Sequence, residues 1–111
     1  MDKKIDKILA NFLSEVSERN DKLICAYLFG SYAKNSEHPG SDIDVALIFD
    51  SLDDYGKFDL QVQLMLLASD FDYRIEPHPI SMQDFNSNNP FVTEIKRTGV
   101  KIEILSKIAL P

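Results

Sequence analysis

Residues 29–45 read FGSYAKNSEHPGSDIDV, and this stretch decides the fold. It begins at the end of an apolar run and turns at the pair Gly30-Ser31. A polar loop follows, and the chain then enters a second apolar segment that carries Asp42 and Asp44 two positions apart. Because successive side chains of a strand point to opposite faces, the two aspartates are expected on one face. The stretch predicts two strands joined by a loop, with paired carboxylates at the start of the second strand.

The paired aspartates predict a site for divalent cations. Two carboxylates this close repel each other unless a cation lies between them. Magnesium often takes one or two carboxylates together with the phosphates of a substrate. The Gly30-Ser31 corner offers backbone N–H groups and a hydroxyl to such a phosphate. Residues 29–45 therefore indicate a metal–nucleotide site.

Length and composition bound the class of protein. The chain has 111 residues, of which 1–105 are assigned to a single domain and 106–111 to a C-terminal tail. The net charge of −6 and the lack of a Lys/Arg run argue against a broad, charge-driven nucleic-acid surface. Cys25 is predicted to be a small core residue in a reducing compartment. No signal peptide or membrane-spanning run is evident, so a cytoplasmic protein without membrane contact is expected.

The spacing of apolar residues predicts the element order α-β-β-α-β-α-β. Helices are predicted at 3–19, 57–69 and 90–98, and strands at 23–29, 42–49, 73–78 and 100–104. Apolar side chains cover much of the circumference of the second helix, which is therefore expected to be well buried. Pro77 and Pro79 cannot donate hydrogen bonds to a neighbouring strand, so the third strand is expected to be short or near a sheet edge.

The pair Gly30-Ser31, a loop and then the run Ser41–Asp44 resemble the signature of the polymerase β-type nucleotidyltransferase superfamily. The small size resembles its minimal nucleotidyltransferase branch, and the resemblance covers nearly the whole chain. It implies an α/β (α+β) nucleotidyltransferase fold, in which helices flank a mixed β-sheet of about four strands. It also implies two Mg²⁺ or Mn²⁺ ions and transfer of a nucleoside monophosphate, above all AMP from ATP, to an acceptor hydroxyl.

The resemblance assigns roles to particular residues. Relatives carry a third carboxylate on a later strand, and Glu76 is placed there, with Asp72 as a competitor. The implied catalytic and metal-binding residues are Asp42, Asp44 and Glu76, and the implied nucleotide-binding residues are Gly30, Ser31, Lys34 and Ser41.

The roles of three residues remain open at this level, and a fourth residue departs from the pattern of the relatives. Lys34 is either a cation beside the phosphates or a solvated loop lysine. His78 either lines the pocket or has a structural role, and Arg74 either neutralises phosphate or pairs with a nearby acid. Many relatives have glycine where this chain has Asn35, but asparagine is the non-glycine residue best suited to a left-handed turn.

The resemblance also suggests a partner. Minimal members are often encoded beside a small helical protein of the HEPN type, commonly a toxin ribonuclease. One hypothesis is that this chain attaches AMP to a tyrosine of such a partner, as an antitoxin. The alternative is a catalytically inactive antitoxin subunit that only binds the partner. A third interpretation treats Asp42 and Asp44 as solvent-facing strand acids. A nucleic-acid acceptor is less favoured by the acidic composition, and self-association is left open.

Overall fold

The computed structural model describes residues 3–104, which form four helices and four strands. They are α1 (Lys3–Arg19), β1 (Leu23–Phe29), β2 (Ile43–Phe49), α2 (Asp54–Ser69), β3 (Ile75–Ser81), α3 (Met82–Phe85), α4 (Pro90–Thr98) and β4 (Val100–Ile102). The predicted order is confirmed, with the short helix α3 added to it. Ser81 caps that helix, because its side chain accepts a hydrogen bond from the backbone of Asp84. The proposed tail, 106–111, lies outside the described residues.

The sheet is mixed and has the strand order β3-β2-β1-β4. Strand β1 runs antiparallel to β2 and β4, whereas β2 and β3 run parallel. Parallel neighbours need a crossover connection, and α2 supplies it. Strand β3 lies at an edge, as its two prolines predicted, although it spans 75–81 rather than the predicted 73–78.

Helices cover both faces of the sheet, and β2 supplies apolar side chains to each face. Ile43, Val45 and Leu47 belong to a core cluster with α1 and α2. Ala46 and Ile48 belong to a second cluster with α3 and α4. This double burial explains why β2 is an almost continuous apolar run.

Helix α2 differs from its prediction. It was expected to be well buried, but of its side chains Leu64 and Ala68 are the buried ones. Its apolar residues lie on two opposite sides, and one side packs into the core while the other faces solvent. The exposed large side chains are Tyr55, Phe58, Val62, Met65 and Leu66. No helix within residues 3–104, including α2, is long and apolar enough to cross a membrane.

Cys25 is half-buried rather than enclosed in the core. It packs at the margin of the cluster formed with α3 and α4. Burial raises the pKa of its thiol, and the nearby Lys101 opposes that shift only in part. A raised pKa means little thiolate at neutral pH, which fits a packing role.

Candidate active site

The parallel pairing of β2 with β3 brings polar side chains together at one end of the sheet. In this register Asp44 lies opposite Glu76, and Ala46 lies opposite His78. Alternation along a strand puts Glu76 and His78 on the same face as Asp44. Further along this face the side chains become apolar and contact α3 and α4. The polar end of the face therefore opens beside a packed core that holds both strands in place.

Three side chains meet at this polar end. One ligand-type atom from each of Asp44, Glu76 and His78 lies within 4.8 Å of the others. The His78 Nε2 atom is 3.2 Å from Asp44 Oδ1 and 3.7 Å from Glu76 Oε1. The side chains of Asp44 and His78 are 24% and 28% exposed, whereas that of Glu76 is 46% exposed. The group is thus open to solvent on the Glu76 side.

Asp42 lies immediately before β2 rather than inside it, and it is exposed. The pKa of Glu76 is raised above its usual range, mainly because burial disfavours the carboxylate. His78 opposes this shift, whereas a hydrogen bond with Asp42 and the negative charges of Asp44 and Asp42 add to it. The three acids therefore repel one another at neutral pH, which is the electrostatic condition that a bound cation relieves.

Gly30 makes room for this cluster. Its φ is +75°, a left-handed conformation that favours glycine. A Cβ atom at this position would lie 2.5 Å from Asp44 Oδ2. The turn that follows closes through hydrogen bonds from the Lys34 N–H to the Gly30 carbonyl and from the Ser36 N–H to the Ser31 carbonyl. The tight approach of backbone to carboxylate explains why the signature needs glycine here.

Asn35 adopts a φ of 55°, so it takes the left-handed conformation that its residue type predicted. The side chains proposed for the nucleotide lie around this turn. The Lys34 ammonium is 3.5 Å from Glu94 Oε1, and both side chains are about half exposed, at 50% and 45%. Ser41 is buried, and its hydroxyl accepts a hydrogen bond from the His38 backbone N–H. In this structure Ser41 therefore holds the loop that leads into Asp42.

Asp72, the competitor for the third carboxylate, has a different partner. It accepts hydrogen bonds from the backbone N–H and the guanidinium of Arg74, the shortest at 2.7 Å. The Arg74 hydrogen bonds hold the pKa of Asp72 below its usual range. Arg74 also donates to the Tyr32 hydroxyl at 3.1 Å. Asp72 and Arg74 thus connect β3 to the Gly30 turn, and Glu76 is the acid placed beside Asp44.

Sequence reasoning missed an aromatic wall beside the cluster. The rings of Phe29 and Phe91 lie 5.1 Å and 6.0 Å from the His78 ring, and they contact each other edge to face. Phe91 follows the first residue of α4, and its side chain is exposed enough to border a cleft with Lys57 and Gln61. Phe29 could have been singled out because it comes directly before Gly30. The packing of α4 against β1 and β3, which brings Phe91 to the site, cannot be predicted from local sequence.

The residues at the cluster fit a divalent cation. Oxygen atoms of Asp44 and Glu76 converge with one imidazole nitrogen, and Asp42 adds a further carboxylate next to Glu76. Carboxylates are the ligands that Mg²⁺ and Mn²⁺ commonly take. The raised pKa of Glu76 reflects, beyond its burial, the cost of bringing these negative charges together.

Comparisons with known proteins agree with this geometry. A sequence model of the family described as "Polymerase beta, Nucleotidyltransferase" matches residues 11–107. The protein adenylyltransferase MntA of Shewanella oneidensis is 43% identical over 53 residues, which are 46% of this chain and 38% of that protein. The aligned part is thus well under half of MntA.

Two solved structures have the same fold. The crystal structure of a toxin-antitoxin with AMP-PNP has a TM-score of 0.59 at 26% identity, over 86% of this chain and 73% of that chain. The tri-AMPylated HEPN toxin of Shewanella oneidensis in complex with its MNT antitoxin gives a TM-score of 0.57 at 22% identity, over 89% and 72%. At the second identity the likeness shows the fold alone.

A mixed sheet whose acidic residues face a glycine turn defines the class of polymerase β-type nucleotidyltransferases. The chain belongs to this family, because the family's sequence model covers residues 11–107. Within that family it is similar to the protein adenylyltransferase MntA over 53 residues.

Proposed function

We propose that this chain is a metal-dependent nucleotidyltransferase that moves AMP from ATP to an acceptor hydroxyl. The observation that carries the proposal is the register that sets Glu76 opposite Asp44, with Asp42 close enough to raise the pKa of Glu76. AMP is proposed because a similar protein is an adenylyltransferase and a similar structure contains AMP-PNP.

Asp42, Asp44 and Glu76 are the proposed ligands of two Mg²⁺ or Mn²⁺ ions. Such ions, when bound, neutralise the triphosphate and lower the pKa of the attacking hydroxyl. Asp42 and Asp44 would bind the ion nearest the triphosphate, and Glu76 would complete the set on the acceptor side. The buried Ser41 hydroxyl would fix the loop before Asp42 and so limit where that carboxylate can move.

The Gly30 turn is the proposed site of the β- and γ-phosphates. Gly30 lets the backbone approach Asp44 closely, and Ser31 follows it with a hydroxyl and an N–H group. Lys34 would exchange Glu94 for a phosphate. That exchange costs little, because ion pairs between half-exposed side chains are weak.

We further infer that the acceptor is a tyrosine of a HEPN-type helical protein, for which this chain acts as the antitoxin. The support is the pairing of similar chains with toxins, among them an AMPylated HEPN toxin. A second candidate function is partner binding without chemistry. The observation that favours it is the exposed side of α2, which lies apart from the carboxylates.

The outer face of α2, defined as Tyr55, Phe58, Val62, Met65 and Leu66, is the proposed surface for this partner. The exposed fractions of these side chains run from 44% for Val62 to 89% for Tyr55. The first four are separated by three, four and three residues, which is the spacing of a seam between two packed helices. Large exposed apolar patches of this kind mark interaction sites.

The charge around the outer face of α2 favours a different protein over a second copy as its occupant. Asp54 and Asp59 are exposed on the same helix, and by helical spacing they flank the apolar seam. The whole chain carries a net charge of −6. Two copies packed through this face would bring like charges together, whereas a basic helix of a HEPN-type partner would be complementary.

The transfer reaction is tested with α-phosphate-labelled ATP and a divalent ion. The purified chain is incubated with a HEPN-type protein encoded in the same genome, and labelled protein is resolved by electrophoresis. The proposal predicts a labelled partner with the native chain and none with the Asp42→Ala/Asp44→Ala variant. Asp6→Ala removes an exposed acid of α1 and serves as the matched control. Partner binding without label from ATP, GTP, CTP or UTP would favour the binding subunit instead.

The docking surface is tested separately with the variant Phe58→Ser/Val62→Ser. Its affinity for the same HEPN-type protein, measured by calorimetry, is expected to fall by about tenfold or more, because truncated anchors at an interface cost over 1 kcal/mol each. Val100→Ser changes a comparably exposed apolar residue on β4 and is expected to bind normally. Unchanged affinity in the α2 variant would contradict this surface, and so would self-association of the native chain that the variant abolishes.

A further inference from the structure

His78 lies where a third ligand of a cation would lie. Strand alternation puts it on the face of Glu76, and the β2–β3 register puts it opposite Ala46, two residues further along than Asp44. Its Nε2 atom points at both carboxylates, 3.2 Å from Asp44 Oδ1 and 3.7 Å from Glu76 Oε1. Adjacent ligands around an octahedral ion with bonds of about 2.1 Å are separated by about 3 Å. The observed spacing is close to that value for the Asp44 pair and slightly wider for the Glu76 pair.

The imidazole ring also packs against two aromatic rings. Phe29 packs on it edge to face at a centroid distance of 5.1 Å, and Phe91 lies 6.0 Å away. These two rings come from β1 and α4, so three elements fix the position of the ring. A histidine that packs against two aromatic rings and is directed at two acids has the rigidity that metal ligation requires.

We propose that His78 donates a nitrogen ligand to the ion bound by Asp44 and Glu76, so that this position selects a transition-metal ion such as Mn²⁺ over Mg²⁺. The inference rests on the proposed function, which supplies the ion. It differs from a site made of carboxylates alone, because imidazole raises the affinity for transition metals, whereas Mg²⁺ prefers oxygen ligands. Asp42 lies outside this group of three and would supply a carboxylate oxygen to the other ion.

A hydrogen bond from His78 to Asp44 is the competing explanation of the same distances. In that case His78 would be a positioning residue that orients Asp44 without touching the ion. The two explanations differ in one observable, which is a direct bond between the metal and a nitrogen atom. The variant His78→Gln separates them, since an amide can still donate a hydrogen bond to Asp44 but supplies no imidazole nitrogen.

The test uses Mn²⁺ as the probe, added to the full chain with and without a non-hydrolysable ATP analogue. Pulsed electron paramagnetic resonance is expected to detect a directly bound imidazole nitrogen in the native chain and none in His78→Gln. The ratio of Mn²⁺ to Mg²⁺ affinity, measured by competition, is expected to fall about tenfold or more in that variant. His38→Gln changes the exposed loop histidine and is expected to retain the nitrogen signal and the ratio.

The outcomes separate this inference from the proposed function. Bound Mn²⁺ without nitrogen coupling in the native chain, no Mn²⁺ binding in either condition, or an unchanged affinity ratio in His78→Gln would each overturn the ligand assignment. Label transfer from ATP would still stand in the first and third cases. Conversely, nitrogen coupling in a chain that labels no acceptor would support the ligand and contradict the transferase.

Discussion

The carboxylate end of the sheet and the outer face of α2 are two exposed regions of opposite chemistry. The first exposes charged side chains, of which Asp44 and Glu76 lie directly opposite each other. The second exposes apolar side chains such as Phe58, which is 72% exposed. Water solvates charged side chains favourably, whereas exposing apolar side chains to water is unfavourable. The difference indicates two separate needs, a cation for the acids and a protein for the apolar stripe.

The two regions also differ in how they are attached to the core. Asp44 and Glu76 belong to β2 and β3, most of whose other residues are buried, whereas the outer face of α2 is the reverse side of a helix whose inner side is buried. A substitution in one region is therefore expected to leave the other intact. The predictions that follow use this independence.

The largest effect is expected for Asp44→Asn. The amide is nearly the same size as the carboxylate but lacks its charge, so the loss of metal-based stabilisation should cost about 4 kcal/mol, or roughly a thousandfold in transfer rate. Circular dichroism should show an unchanged fold, and binding of the HEPN-type protein through α2 should persist. Near-native label transfer by this variant would contradict the site, and loss of partner binding would contradict the independence of the two regions.

The next largest effect is expected on the free energy of unfolding, and it should differ between the two sides of α2. Leu64 is 3% exposed, so Leu64→Ala is expected to lower the free energy of unfolding by about 3 kcal/mol through lost burial and a residual cavity. Phe58→Ala, on the outer face, should change it by less than about 0.5 kcal/mol, because that ring is already in water. Urea denaturation measures both variants without any partner. A comparable loss in Phe58→Ala would show that the outer face is packed in the isolated chain.

Local rules account for the parts of the molecule that the sequence predicted well. The extents of α1 and β1 agree with the apolar spacing, and the left-handed Asn35 follows from its residue type. The prediction that α2 is well buried was wrong for a physical reason. Apolar residues on both sides of a helix fit a central position in the core, but they equally fit a helix with one side in the core and the other in an assembly. A single sequence does not distinguish these cases.

The candidate site could be predicted only in part, because some of its contacts are local in sequence and others depend on strand pairing. Asp42 and Asp44 are two residues apart in the sequence, so their proximity needs no long-range pairing. The partnership of Asp44 with Glu76 and His78 depends on a parallel register set by α2 across the sheet, which local patterns do not encode. Local patterns also did not distinguish Asp72 from Glu76 as the third carboxylate. The structure distinguishes them, because Asp72 is paired with Arg74.

A smaller effect on stability is expected for alanine substitutions at two glycines, Gly30 and Gly40, which form a matched pair. Gly30→Ala forces a side chain into a left-handed conformation and toward the Asp44 carboxylate, so it should cost about 2 kcal/mol of stability and displace Asp44. Gly40 has a φ of +88°, but a Cβ added there would meet no atom within 4 Å. Gly40→Ala should therefore cost about 1 kcal/mol and spare Asp44.

Label transfer and thermal unfolding distinguish these two glycine variants. Transfer should fall sharply in Gly30→Ala and little in Gly40→Ala, while both should still bind the HEPN-type protein through α2. Equal loss of transfer in the two variants would mean that backbone strain alone, not the approach to Asp44, explains the glycine at position 30.

The smallest effect concerns Asp72 and depends on pH. Hydrogen bonds from Arg74 lower the folded-state pKa of Asp72, so their contribution to stability is present above the unfolded-state value of about 3.9. That contribution is lost as the pH falls through the lower folded-state pKa. Asp72→Asn should therefore destabilise the chain by about 1–2 kcal/mol at pH 7 and progressively less below about pH 4. Urea denaturation across this range measures the difference.

Glu76→Gln is the matched control for Asp72→Asn, because the two acids competed for the role of third carboxylate. The folded-state pKa of Glu76 is raised, so removing its charge should not destabilise the metal-free chain at pH 7. The same substitution should abolish transfer, since it removes a proposed metal ligand. Native transfer by Glu76→Gln together with loss of transfer in Asp72→Asn would reverse the assignment of the third carboxylate.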